Sequence, residues 1–234
     1  MIELLLLFVL LLLTALARYL VYDAFEPLMF SLIFILPILS LVIYYISKKL
    51  ADKERSFQPK NIQEWSFYNI QKSLMIKKPL FRGDVKRGYV KRYFPKKWQY
   101  AFGDIFGFNW YLCLEIKIDQ DLYDVKWYRA KRFAQQDQWK IYKNGQQIGD
   151  ACTLINLKNS VKLKEAIQCT FTNHTYVTSA TTVTSGITLT KDEERVGTLK
   201  RNHLMSSVQV IDVPEDERES LIALLIHSHF FKNK

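Results

Sequence analysis

The chain has 234 residues, 33 Lys/Arg against 23 Asp/Glu, a formal net charge of +10 and an apolar share of 49%. Its three cysteines, Cys113, Cys152 and Cys169, are odd in number and lack CxxC or histidine spacing, which speaks against both a disulfide framework and a zinc site. Charge is unevenly spread: the first 46 residues carry only Glu3, Arg18, Asp23 and Glu26, and the rest carry 32 Lys/Arg against 20 Asp/Glu, an apolar head on a basic body.

Ile2 to Ala17 reads IELLLLFVLLLLTALA, and Phe25 to Ile46 reads FEPLMFSLIFILPILSLVIYYI. A membrane-spanning helix needs roughly 20 apolar residues at 1.5 Å rise. The second segment has that length; the first reaches it once Tyr19 to Tyr22 enter the interface and Arg18 snorkels. The expectation is a transmembrane hairpin of helices 2–20 and 25–46, kinked at Pro37. The rival is a cleaved signal peptide over 1–17, with Ala15-Leu16-Ala17 as its small-residue site; Glu3 and the lack of an early cation argue against it. Lys48, Lys49, Lys53 and Arg55 follow the second span, so the positive-inside tendency puts the body on the cytoplasmic side of a multi-pass cell-membrane protein. Residues 48–63 are expected as a basic juxtamembrane linker and 64–234 as the soluble domain.

From about Ser56 the pattern turns to strands. Leu112, Leu114, Ile116 and Ile118 alternate with Cys113, Glu115 and Lys117 in Trp110 to Asp119, the signature of a half-buried strand. Tyr123, Val125 and Trp127 alternate likewise, as do Ile167, Cys169 and Phe171. The threonine-rich stretch Thr170 to Thr190 reads as either a low-complexity linker or β-branched strand surface; Tyr176, Val177, Val183, Ile187 and Leu189 favour strands.

Two heptapeptides echo each other 48 positions apart, KNGQQIG at Lys143–Gly149 and KDEERVG at Lys191–Gly197. Asn144-Gly145 between alternating runs is the strongest short hairpin signal, because a type I′ turn needs positive φ at both central residues. In the second copy the tetrad Asp192 to Arg195 is expected to replace that turn. An antiparallel meander used twice follows.

The end of the chain is helical. Pro214 stands at a plausible first position with acids after it, and His227, His229 and Lys232 at the far end complement the helix dipole. Leu221 to Ile226 is apolar without interruption, so this helix must be buried all round.

Glycine-ended hairpins at Ile141–Gly149 and Leu189–Arg201, followed by an apolar helix over 214–231, resemble the tubby C-terminal-like superfamily of tubby, LURP-one-related and phospholipid scramblase proteins. The resemblance implies a mainly β fold: a closed antiparallel barrel around a C-terminal hydrophobic helix, here preceded by a transmembrane hairpin. Trp65 to Phe133 fits as earlier strands. No motif carries over a phosphoinositide or calcium site residue by residue.

No catalytic constellation is present: no GxSxG, no HExxH and no phosphate loop, while Gly103 and Gly107 in FGDIFGF lack a strand–loop–helix context. No cofactor, metal site or enzymatic activity is expected. His227 and His229, at i and i+2, are read as structural. The positive signal is KKPLFRGDVKRGYVKRYFPKKW. Lys77, Lys78, Arg82, Lys86, Arg87, Lys91, Arg92, Lys96, Lys97 and Trp98 are the candidate lipid-binding residues, interleaved with Tyr89, Tyr93 and Phe94. Each cation near an anionic leaflet contributes about 1 kcal/mol. Nucleic acid also suits such a stretch, but tethering makes the bilayer the nearer partner. The competing account is a strand pair whose lysines protect edges. The function expected is a non-enzymatic, membrane-anchored module binding anionic phospholipid or a membrane-associated protein. The alternatives are an immunity-type protein neutralising a membrane-acting partner, and scramblase-like lipid transport.

Overall fold

The computed structural model describes residues 2–23, 26–70, 74–100, 111–128, 136–154, 164–172, 174–181, 186–203, 206–214 and 216–230. Phe25, Gly103, Gly107, Trp110, Phe133, Val183, Phe231 and Lys232, named above, lie outside them. The chain forms two compact units, residues 1–52 with 96–108, and residues 53–95 with 109–234.

The first unit carries helix α1 (Ile2–Tyr22), α2 (Pro27–Ile33) and most of α3 (Ile35–Arg55). Two stretches, Leu4–Tyr22 and Pro27–Arg55, are long and apolar enough to cross a membrane. Leu6, Leu10, Leu13 and Leu16 stand exposed on α1. The second stretch breaks at Phe34. Pro37 accounts for this, because its ring clashes with the carbonyl of the residue four earlier, Ile33, where α2 ends. Arg18 Nη2 pairs with Glu26 Oε1 at 2.6 Å between α1 and α2. Helix α3 runs on to Arg55, so the stretch expected as linker is helical through residue 55.

The second unit is a closed barrel. Its strands are β1 (Trp65–Tyr68), β2 (Lys78–Arg82), β3 (Val85–Tyr93), β4 (Cys113–Ile118), β5 (Asp121–Tyr128), β6 (Gln138–Lys143), β7 (Gln146–Thr153), β8 (Lys164–Phe171), β9 (His174–Thr181), β10 (Ile187–Lys191), β11 (Glu194–Arg201) and β12 (Val208–Asp212). Each pairs antiparallel with the next, and β12 returns to β1 with Trp65 opposite Ile211. Closure removes the sheet edges that would otherwise invite aggregation. Helix α4 (Arg218–Phe230) fills the interior, and every residue from Ser220 to Phe230 is buried. The uninterrupted apolar run thus has the all-round burial it demands. Helix α4 starts later than Pro214, after a turn in which the Glu217 N–H donates to the Pro214 carbonyl (3.3 Å). The Glu217 carboxylate accepts from the Ser220 hydroxyl (2.6 Å) at the start of this helix.

The heptapeptide echo has a third copy. In β6–β7 the turn is Asn144-Gly145, with φ of 49° and 89°. In β10–β11 it is Asp192-Glu193 alone, with φ of 47° and 77°; Glu194 and Arg195 already belong to β11 and are not part of the turn. In β2–β3 it is Gly83-Asp84. Beyond each turn the register slips by one residue, leaving Arg87, Ile148 or Val196 as a bulge before Gly88, Gly149 or Gly197. A bulge increases local twist and draws the next strand close. A Cβ on Gly88 would lie 1.8 Å from the Lys117 carbonyl oxygen, and one on Gly149 2.4 Å from that of Thr170. The glycines are therefore required by backbone approach.

Each copy also begins with a cation stacked on an inward aromatic of the preceding strand: Arg82 on Trp65 (5.7 Å), Lys143 on Tyr123 (5.7 Å) and Lys191 on Tyr176 (5.6 Å). All three are direct cross-strand partners. The barrel is written as the same four-strand pattern three times, where the sequence suggested two.

Candidate interaction surface

Successive residues of a strand face opposite sides, so the basic stretch divides. On β2, Lys78 shares its inward face with Leu80; on β3, Arg92 shares its own with Val90. Lys78 is 2% exposed and Arg92 6% exposed. These two expected lipid contacts are interior groups, out of reach of a headgroup. The signal was present in the period-two spacing from Leu80 and Val90, but the density of cations obscured it.

Inside the barrel, Lys78 Nζ donates to Glu54 Oε1 (3.1 Å) and to Asn69 Oδ1 (2.5 Å). The Ile70 N–H donates to the same carboxylate oxygen of Glu54 (2.7 Å). Burial lowers the Lys78 pKa to about 8, against the opposing pull of Glu54. Burial also brings Arg92 down to about 10. His229 stacks on Phe67 at 5.4 Å; burial first, then the charges of Lys78 and Arg92, hold its pKa well below the usual imidazole value. His227 meets Thr178 Oγ1 at 2.8 Å. Both histidines are structural, and burial pushes the Cys113 thiol up to about 11 and raises that of Cys169 further.

Of the remaining candidates on or next to β2 and β3, Lys77, Lys86, Arg87 and Lys91 are reachable from outside the barrel, whereas Arg82 lies on the inward face at its rim, over Trp65. They do not form one patch. Arg82, Lys86 and Arg87 lie at the turn end of β2–β3, with Arg87 paired to Asp119 (3.4 Å). Lys77 and Lys91 lie toward the other end, Lys77 over the Tyr89 ring (4.6 Å) and Lys91 beside Glu115 (3.4 Å). The ends of β3 are about 26 Å apart at 3.3 Å per residue. Lys96, Lys97 and Trp98 are exposed and belong to the first unit.

The exterior of the barrel has three sectors. Over β1–β2, Phe57 covers the sheet, stacked on Tyr68 (5.3 Å) and edge-on to Phe81 (5.9 Å). Over β3–β6 runs a ladder of lysine, tyrosine and carboxylate. Tyr89 donates to Glu115 (2.8 Å) and Tyr93 to Asp124 (2.6 Å), while Lys126 lies over Tyr142 and Lys140 over Tyr128 (both 5.1 Å). Burial and Glu115 raise the Tyr89 pKa to about 12, fixing the phenol as a donor. Lys117, Lys126 and Lys140 extend this wall beyond the basic stretch that sequence reasoning singled out. The third sector, over β8–β11, carries hydroxyls, with Arg195 and Lys200 exposed among them on β11. At the turn end, a cavity of about 400 Å³ lined by Tyr123, Tyr176, His174 and Lys191 surrounds the start of α4. Its Lys191 is already paired with Glu217 (3.0 Å).

A twelve-strand closed meander threaded by a buried terminal helix defines an architectural class in which the helix, rather than a second sheet, is the core. The model of the Tubby C-terminal-like domain matches residues 67–232, and the chain belongs to that family. Searches of curated proteins and of solved structures return no match.

Proposed function

We propose that this chain is a non-enzymatic module held at a bilayer by α1–α3, whose barrel binds anionic phospholipid headgroups on the cytoplasmic side. The observation that carries the reading is the lysine–tyrosine wall over β3–β6, where Lys77 and Lys117 are exposed beside the half-buried Tyr89, with Lys86 exposed toward the turn end of β3. Cations contribute about 1 kcal/mol each near an anionic surface, and tyrosines suit the headgroup level. Family membership supports a lipid partner, and the exposed leucines of α1 support the tether. Lys48, Lys49, Lys53 and Arg55 on the last turns of α3 favour the cytoplasmic side.

The test uses the full chain in nanodiscs of mixed anionic and zwitterionic lipid, with bound lipids counted by native mass spectrometry. Anionic lipid should be enriched at low salt and the enrichment lost in K77E/K86E/K117E. Equal retention by wild type and variant would refute the lipid reading. Release of the chain from membranes by carbonate would instead refute the tether.

A further inference from the structure

We propose that the crevice between α1 and α2 binds one zwitterionic phospholipid, with its phosphate on Arg18, its ammonium on Glu26 and an acyl chain against the apolar wall below them. The cavity has a volume of about 600 Å³, within the roughly 300–1,000 Å³ of ordinary ligand sites. On α1 it is lined by Leu12, Ala15 and Tyr19, spaced three and four residues apart and so on one helix face. On α2 it is lined by Met29 and Phe30, one turn past Glu26. One turn deeper on the same face of α1, Phe8 meets Phe34 edge-on at 5.6 Å, so the hairpin is in contact there. Ala15 leaves the space, because it carries a methyl where Leu12 and Leu16 carry isobutyl groups.

The depth and the charged end select the occupant. Arg18 lies in the last turn of α1 and Glu26 is the N-cap of α2, so both mark the loop end of the hairpin. From Arg18 to Leu12 is about 9 Å at 1.5 Å per residue, which fits inside one leaflet of about 15 Å, half of the roughly 30 Å hydrocarbon core. That is where the upper part of an acyl chain lies beneath its headgroup. Pockets between membrane helices are known seats for headgroups of this kind.

The Arg18–Glu26 pair (2.6 Å) engages one guanidinium nitrogen and one carboxylate oxygen, and its side chains are 47% and 53% exposed. Arginine has further N–H donors and the carboxylate a second oxygen, so each group takes another partner without breaking the pair. An anionic lipid without an amine sets its charge against Glu26, and a cationic amphiphile sets its own against Arg18. A phosphate joined to a primary ammonium satisfies both. The inference rests on the tether proposed above: with the basic end of α3 in the cytoplasm, the site opens to the opposite leaflet.

The experiment holds the full chain in nanodiscs of equal ethanolamine, choline and glycerol phospholipid with identical acyl chains. Bulk lipid is stripped in the mass spectrometer and what stays bound is counted. One ethanolamine lipid per chain should survive. E26Q should cut its preference over the glycerol lipid at least about tenfold, the loss of one hydrogen bond to a charged group. E26K should reverse the preference, and A15F should abolish retention by filling the crevice. K77E/K86E/K117E should keep the ethanolamine lipid while losing glycerol lipid from the barrel, which separates the two sites. An unchanged headgroup preference in E26Q and E26K, retention by A15F equal to wild type, or loss of the ethanolamine lipid in the barrel variant would overturn the proposal. Extraction of the chain from membranes by carbonate would overturn the tether and this site with it.

Discussion

Glu54 and Lys78 form an ion pair of 3.1 Å with side chains 0% and 2% exposed, one from the last turn of α3 and the other from β2. Glu54 lies outside the family match, which begins at residue 67, yet it is part of the barrel interior. Removing one partner of such a pair strands a charge in low dielectric, and E54A should cost about 3–5 kcal/mol. E54M/K78M should recover most of that loss, since apolar replacement of a whole buried pair is often neutral. Urea unfolding of the full chain in detergent measures both. A double variant as unstable as E54A would show that packing rather than charge is at stake. Chains begun at Phe57 should unfold more readily than chains begun at Lys48.

The same pair gives a pH signature. Lys78 titrates at about 8 when folded against 10.5 when unfolded. Between those values the unfolded chain binds more protons, so stability rises with pH through that window. The gain should be about 2 kcal/mol between pH 8 and 10 and should be absent in K78M. Denaturation midpoints at three pH values for the two proteins suffice; parallel slopes would dismiss Lys78 as the cause.

His229 acts at the other end of the scale. Its folded pKa lies well below 6.5, so the unfolded state binds the extra proton and stability falls as pH drops through the usual imidazole range. In H229N this acid loss should vanish even if overall stability is lower. Melting between pH 7 and 5 reads it directly.

What the sequence made legible follows period and turn chemistry. Alternation at Leu112–Ile118 and the apolar run Leu221–Ile226 each leave one structural solution, so the barrel and its helix were readable. The third hairpin was not, because Arg82–Gly88 carries arginine at the bulge where the other copies carry Ile148 and Val196, and its cations read as a patch. The burial of Glu54 against the barrel was invisible, since a carboxylate six residues beyond Lys48 looks like ordinary helix surface until β2 places Lys78 opposite it. The β3–β6 wall was half legible: Lys117 and Lys126 were evident as outward residues, but only the strand order sets them beside Tyr89 and Tyr142.

The glycines that follow the bulges should differ in tolerance. A Cβ at Gly88 collides with a backbone oxygen at 1.8 Å, at Gly149 with one at 2.4 Å, and at Gly197 with one at 2.9 Å and with the Val213 side chain at 2.7 Å. Neither strand can yield without breaking its ladder, whereas valine can rotate. Alanine substitution should therefore be most damaging at Gly88, less at Gly149 and least at Gly197, with the first costing 3 kcal/mol or more by order of magnitude. Unfolding midpoints for the three single variants test the order, and a G88A protein as stable as G197A would remove the close-approach explanation.

The turn between β10 and β11 offers the opposite test. Asp192 and Glu193 hold φ of 47° and 77° without glycine, a conformation that costs a residue with a Cβ about 1 kcal/mol or more. The equivalent positions in β6–β7 are Asn144 and Gly145, and nothing lies within 4 Å of a Cβ at Gly145, so the demand there is conformational alone. E193G should therefore stabilise the barrel by roughly 0.5–1 kcal/mol, and G145A should destabilise it by a similar amount. Asp192 should be kept in the first variant, because its carboxylate contacts His174 Nδ1 (3.2 Å) and accepts from the Thr175 N–H (3.4 Å). Paired thermal melts of the two variants against wild type give the sign, and a destabilised E193G would mean that the glutamate supplies more than the turn geometry takes away.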